Sequence, residues 1–287
     1  MHANPKAAVR VFKRLATFFG DKYLSQINGQ LCREYAATRP AIYSARRDLE
    51  ELRAAINHHH REGLHDSVIK VWLPEKARPR ERWLTRDEVA KLVRAAYRFS
   101  EPYNRKRSKV HIARFILIGV YTGSRAGVIA QAALQNEIGR PYFDLDSGLF
   151  YRRPEGVAEP RNKRQPTIKV PPRLLAHLRR WKRMEARYAV EWLGRPIQRV
   201  DESFRFLVEE VGLGGQVIPH TLRHTCATWL MQAGGDPWEI AGFLGMSIAT
   251  LERTYGHHHP DHMAGVHEAF QRHRAANASP TIAVNRR

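Results

Sequence analysis

H-T-L-R-H-T-C-A-T-W-L-M-Q-A-G-G-D-P-W-E-I-A-G-F-L-G-M-S-I-A-T-L-E-R-T-Y, residues 220–255, reads as three short helices in succession. The first runs to the Gly234-Gly235 pair, where glycine can take the left-handed conformation that ends a helix. Asp236 as N-cap, Pro237 at the first helical position and Glu239 at the third open the second, and Gly245 closes it. Ser247 begins the third, whose Ile248, Leu251 and Tyr255 at i, i+3 and i+7 form one inward stripe. His220 and Arg223, three apart, share a face of the first helix.

Upstream of this block, an apolar helix at 112–121 ends in T-G-S-R, residues 122–125. Between Pro141 and Pro172, Y-F-D-L, G-L-F-Y-R-R and T-I-K-V are short β-prone pieces separated by turn residues, a small antiparallel sheet. From 173 onward the spacing is helical again. A capping box, Thr85 with Glu88, opens an amphipathic helix in L-T-R-D-E-V-A-K-L-V-R-A-A. Before it, P-E-K-A-R-P-R-E-R at 74–82 carries two prolines and four basic residues against two acidic, an exposed linker. Apolar stripes at 11, 15, 18 and 19, and at 42, 45, 49, 52 and 56, predict two helices in the N-terminal segment, the second closed by H-H-H at 58–60. The expected organisation is therefore a helical domain over 1–75, a basic linker at 76–82, a second domain over 83–274 and a tail over 275–287. The fold class is mainly α with a small antiparallel β-sheet.

Forty-eight Lys and Arg against 28 Asp and Glu give a formal charge of +20 and a pI near 10.5. That balance calls for a polyanionic partner, and double-stranded DNA leads. The most apolar run, 113–123, is too short to cross a bilayer and contains Arg114. No apolar block with a cleavage site marks a secretory signal, so the expected compartment is the cytoplasm, with no membrane partner. Cys32 and Cys226 form no C-x-x-C pair, which argues against a disulfide framework and a cysteine-ligated zinc.

The motifs H-x-L-R-H-T, then L-G-x-S, then a tyrosine nine residues after x, resemble the C-terminal signature of the tyrosine recombinases, the phage integrase family. Y-T-G-S-R at 121–125 and K-R-Q-P-T-I-K-V-P at 163–171 agree with its upstream half. F-F-G-D-K-Y-L-S-Q-I and R-R-D-L-E-E-L-R-A-A-I-N-H-H-H-R-E-G-L resemble its SAM-like core-binding domain. The resemblance implies a helical core-binding domain and a mixed α/β catalytic domain that cuts and rejoins DNA through a 3′-phosphotyrosyl link with a free 5′-hydroxyl. It implies no cofactor, metal or ATP, because bond energy is kept in the covalent link. A homotetramer working on two DNA sites, with accessory DNA-bending or excision factors, would complete the assembly.

The residue types suit that chemistry on their own terms. Phenol attack on a phosphodiester builds negative charge on the non-bridging oxygens, which a metal-free site must meet with fixed donors. Arg125 and Arg223 are the natural clamp, since guanidinium forks grip phosphate oxygens and stay charged. Tyr255 is the nucleophile, its phenolate expected to be favoured by nearby cations. His220 would move a proton, and Lys163, on a hairpin, would protonate the departing sugar oxygen. Phosphate contacts are assigned to Lys76, Arg78, Arg80, Arg105, Lys106, Arg107, Lys109, Arg161 and Arg164.

Two positions depart from the family pattern. Met246 stands where histidine or tryptophan is usual and cannot donate to a phosphate oxygen; His257 could compensate. Val128 stands where an acidic residue is common. These keep open a DNA-binding protein that has lost catalysis. A metal-dependent nuclease using His257, His258 and His259 is the other alternative, although consecutive histidines point different ways and suit chelation poorly.

Overall fold

The computed structural model describes residues 5–76, 81–101, 103, 107–158, 164–266 and 269. The chain divides into two compact units, residues 1–80 and 81–287.

The first unit is helical: α1 (Pro5–Phe19), α2 (Gly29–Ala37) and α3 (Ile42–Arg61). Asn28 caps α2, its side chain accepting from the backbone of Gln30 and Leu31. Val11, Leu15 and Phe19 of α1 meet Cys32 and Tyr35 of α2 and Leu49 and Ile56 of α3 in one core. Ile42, the first member of the α3 stripe, is instead 46 % exposed, because the helix begins there, beyond the reach of the other two.

Asp48 lies inside this core, 1 % exposed. It accepts from Arg14 at 3.0 and 2.6 Å and from the Tyr35 hydroxyl at 2.8 Å, with Arg39 at 3.3 Å. Burial alone would raise its pKa, but the hydrogen bonds from Arg14 and Tyr35 and the charges of Arg14 and Arg39 outweigh it and hold the carboxyl below the ordinary aspartate value. The carboxylate thus adds stability above that ordinary pKa, lost as pH falls through the lowered one. Asp48→Asn should destabilise this unit by about 3 kcal/mol, at the low end for a broken buried pair because Arg14 is a third exposed. Calorimetry of the full chain would show it as an earlier transition of the N-terminal unit.

The second unit opens with α4 (Arg86–Arg98), capped as the sequence predicts: Thr85 Oγ1 accepts from Glu88 N and Glu88 returns a bond to Thr85 N. α5 (Val110–Thr122) is nearly all buried and forms the centre of the unit, packed against α4 and α9. The short α6 (Ala126–Gln131) follows, then an antiparallel sheet of β1 (Tyr142–Asp144), β2 (Leu149–Tyr151) and β3 (Ile168–Lys169). Phe143 pairs with Phe150, and Phe150 with Ile168, giving the sheet one buried face. α7 (Pro172–Arg183) comes next, then a β4 (Glu191–Trp192) and β5 (Arg195–Pro196) hairpin inside the stretch read as wholly helical. Two-residue strands leave too little alternation to register in a sequence pattern.

The remaining elements are α8 (Asp201–Glu210), α9 (Thr221–Gln232), α10 (Pro237–Leu244) and α11 (Ile248–Tyr255). α9 is held at several points. A Cβ on Gly119 would come within 2.7 Å of Leu222, so α5 and α9 touch through a residue with no side chain. Thr225 accepts from Leu84 N, and the Trp229 indole donates to Leu84 O. Asp236, Gly245 and Ser247 bound the last two helices as expected, with Gly245 at φ +66°. Ile248 is 36 % exposed, so only Leu251 and Tyr255 of the expected stripe face inward. Both cysteines are free and buried. Met263 and Val266, near the end of the described chain, are more than half exposed. Phe270 and the tail at 275–287 lie outside the described residues.

Candidate active site

α11 delivers Tyr255 into a small core made by Cys226, Ala227 and Met231 of α9 and Ile240, Ala241 and Leu244 of α10, with Met246 packed against it. Leu251 and Tyr255, one turn apart, bury the same face of the helix. The phenol is 6 % exposed, and its oxygen lies 2.7 Å from Nδ1 of His224, to which it is hydrogen-bonded. Burial pushes the phenol pKa up to about 12, and the neighbouring Arg223 offsets this only in part. The expectation that cations would favour the phenolate is corrected here, because desolvation is the larger effect.

Arg223, on the buried face of α9, donates through Nη1 to the Gly123 carbonyl at 2.7 Å. Arg125 follows the same turn and donates to the Arg164 carbonyl at 2.7 Å. A third guanidinium, Arg152, escaped the sequence reading. It is 3 % exposed and donates to Thr122 O and Phe243 O, both at 2.7 Å. Its signal was the strand alternation in F-Y-R, which places Arg152 on the same inward face as Phe150.

No carboxylate is needed to hold Arg223 and Arg152, because helix ends do it. Thr122 and Gly123 finish α5 and Phe243 lies in the last turn of α10, so the free carbonyls and partial negative charge of two helix C-termini converge on the arginines. Gly123, at φ +58°, makes the turn that aims them; a Cβ there would meet Leu244 at 2.3 Å. Burial, followed by the charge of Arg125, lowers the Arg223 pKa to about 10; burial, followed by Arg223, lowers that of Arg152 to about 9. All three stay cationic at neutral pH, and their mutual repulsion leaves the site short of an anion. An open cavity of about 690 Å³, with Arg125, Arg152, Arg140, Gln131 and Gln165 in its wall, lies beside them.

His220 stands just before α9, its ring edge-on to that of His224 at 4.9 Å between centroids. Crowding by protein, then the charges of His224, Arg223 and Arg125, depress its pKa although its outer side is open to solvent. His224 is also lowered, by burial and then by Arg223. The structure therefore brings Tyr255, Arg223, Arg125 and His220 into one coupled group and adds His224 and Arg152. His224, quoted in H-T-L-R-H-T, could have been found one turn beyond His220.

Lys163 lies outside the described residues, as do Arg78, Arg80, Arg105, Lys106 and Arg161. Lys76, Arg107 and Arg164 are exposed. Lys109 is half-buried with its ammonium 5.6 and 5.0 Å above the rings of Phe99 and Phe206. Of the three histidines after Tyr255, His257 packs on His258, His258 also meets Trp83 edge-on, and His259 faces Asp261. Among the described residues no three metal-ligating side chains are grouped to hold an ion. Val128 is in the core of the unit and Met246 is half-buried apolar packing.

Residues 192–262 match the phage integrase family. The chain aligns over 94 % of its length with 95 % of an integrase of the transposon Tn1549, solved in complex with transposon right end DNA, at a TM-score of 0.67 and 15 % identity. This chain shares its fold with that integrase, and its residues 192–262 are similar to the phage integrase family. Lambda integrase, solved as a tetramer bound to a Holliday junction, aligns over 86 % of this chain and 73 % of its own at a TM-score of 0.61 and 15 % identity. In sequence, 55 residues are 42 % identical to the tyrosine recombinase XerC of Chlamydia pneumoniae, a match spanning 19 % of this chain and 17 % of that relative. The fold likeness thus reaches across nearly the whole chain, whereas close sequence likeness is confined to a short segment. Among the described residues no helix is long and apolar enough to cross a membrane.

Proposed function

We propose that the chain is a site-specific DNA recombinase that cleaves and rejoins strands through Tyr255. The observation that carries this reading is a buried phenol hydrogen-bonded to His224, next to Arg223, whose guanidinium is bonded to the Gly123 carbonyl 100 positions away, in the turn that leads to Arg125. A scissile phosphate seated on these guanidiniums would have its developing charge met by fixed donors already held by backbone carbonyls. The phenol oxygen displaces the 5′-oxygen of the next nucleotide, leaving a 3′-phosphotyrosine, and a 5′-hydroxyl from a partner strand reverses the step. Lys163 protonates the departing oxygen, and His220, beside the arginines, steadies the phosphate or moves a proton. Residues 1–75 act as the core-binding domain and 83–274 as the catalytic domain, joined by the basic linker at 76–82 and followed by the tail at 275–287. Lys76, Arg78, Arg80, Arg105, Lys106, Arg107, Lys109, Arg161 and Arg164 neutralise flanking phosphates.

Two duplex sites are held by four protomers, as the tetrameric arrangement of lambda integrase supports. Accessory DNA-bending or excision factors would set the direction of exchange. The reaction needs no metal or nucleotide and takes place on cytoplasmic DNA.

The test is to incubate the full chain, in EDTA, with a library of random-sequence duplexes carrying nicks, from which a cleaved strand cannot be resealed. Denaturing electrophoresis should show a protein–DNA adduct, and peptide mapping should place phosphotyrosine at position 255. Sequencing the trapped DNA would also give the site. DNA binding without any adduct would leave a silent binder, and cleavage that EDTA abolishes would point to a metal nuclease.

A further inference from the structure

We propose that His224 is the base that takes the proton from Tyr255 as the phenol attacks. This rests on the reading of Tyr255 as the nucleophile. Among the described residues, Nδ1 of His224 is the hydrogen-bond partner of the phenol oxygen, at 2.7 Å. A hydroxyl shut away from water needs an acceptor, which assigns its proton to that bond and the imidazole proton to Nε2. His220, at the preceding turn of the chain, meets the ring of His224 and not the phenol.

The need for such a base follows from the burial of Tyr255. With its pKa pushed up to about 12, only about one phenol in 10⁵ is ionised at pH 7. Arg223 alone does not reverse this. His224, by contrast, is kept neutral by its own burial and by Arg223 beside it, and so is ready to accept at neutral pH. The titratable groups around it are His220 just before α9, Arg223 and Cys226 on α9, Arg125 after α5, Arg152 after β2, Tyr255 on α11, and His257 and His258 in the turn that packs on α9. All but Tyr255 and Cys226 are basic.

The step balances as follows. The phenol proton passes to Nδ1, giving an imidazolium, while the phenol oxygen bonds to phosphorus. The bond from phosphorus to the 5′-oxygen breaks, and that oxygen takes a proton from the acid on the leaving side. When an incoming 5′-hydroxyl attacks the phosphotyrosine, it gives its proton back to the conjugate base of that acid, and the imidazolium returns its proton to the departing phenol.

The experiment uses the full chain in single turnover on a nicked duplex enriched from the random library, and on its twin with sulfur at the bridging 5′ position. A thiolate leaves without a proton, so the sulfur substrate bypasses the acid and still requires the base. Wild type should cleave at a rate that falls with acid as His224 becomes protonated and is level above that, with no further rise through pH 7–9. His224→Ala and His224→Asn should be slower by about a hundredfold or more at pH 7, rising tenfold per pH unit toward wild type, and sulfur should not rescue them. Asparagine can still accept the phenol hydrogen bond but cannot carry its proton, which separates a base from a positioning contact. Wild-type cleavage that climbs with hydroxide through pH 7–9 overturns the inference, a result independent of whether either variant folds. So does a His224→Asn protein with wild-type rate and pH profile, provided Tyr255→Phe forms no adduct. An adduct from Tyr255→Phe would instead bring down the underlying reading.

Discussion

Tyr255→Phe should retain DNA affinity and yield no covalent adduct at any time point. The substitution removes one oxygen from a residue otherwise committed to packing against Cys226, Ala227, Met231 and Leu244. Its structural cost is the hydrogen bond to His224, about 1 kcal/mol, because a half-buried imidazole regains water on its free side. On the proposed reading, binding to DNA would be dominated by phosphate neutralisation from a chain of net charge +20, which the substitution leaves untouched. Chemistry is another matter: without the oxygen no phosphotyrosine can form, and an adduct through a histidine would be told apart by its lability to acid. Electrophoresis for the adduct, filter binding for affinity and calorimetry for Tm separate the three quantities. Adducts persisting in the phenylalanine protein would mean that another nucleophile operates.

The parts of the fold set by neighbouring residues were legible in the sequence. The Thr85 and Glu88 box, the Asp236-Pro237 start, the Gly245 stop and the Tyr255 stripe each involve groups within a few positions of one another, so local rules decide them. What was missed depends on distance. Arg152 matters because its carbonyl partners come from α5 and α10, thirty and ninety-one positions away. The pairing of His224 with Tyr255 joins two helices whose packing no periodicity specifies. The protonation of Tyr255 was misjudged for the same reason: sequence shows nearby arginines, while the larger effect, exclusion of water, exists only once α9, α10 and α11 close around the ring. Ile42 and Ile248 fail at the first residue of a helix, where a stripe extends past the neighbour it should touch.

Arg223→Ala should lower strand cleavage by about three orders of magnitude while leaving the protein folded. Loss of a single preorganised oxyanion donor costs about 10²–10³ in rate, and Arg223 would supply both a donor and a full charge to the phosphate. The stability ledger has opposing entries of similar size. Removing the guanidinium leaves the Gly123 carbonyl without its partner, at about 1–3 kcal/mol, but also relieves repulsion among Arg223, Arg125 and Arg152. A Tm near wild type with cleavage nearly gone is therefore the expected pair of readings. Arg223→Lys should recover only part of the rate, since an ammonium restores charge without the fork that reaches the Gly123 carbonyl and a phosphate together. Combining Arg223→Ala with Arg125→Ala should cost less than the product of the two single losses, because a clamp with one jaw gone has already lost much of its function. Strictly multiplicative losses would show that the two arginines act on different groups, and the single-phosphate clamp would have to be abandoned.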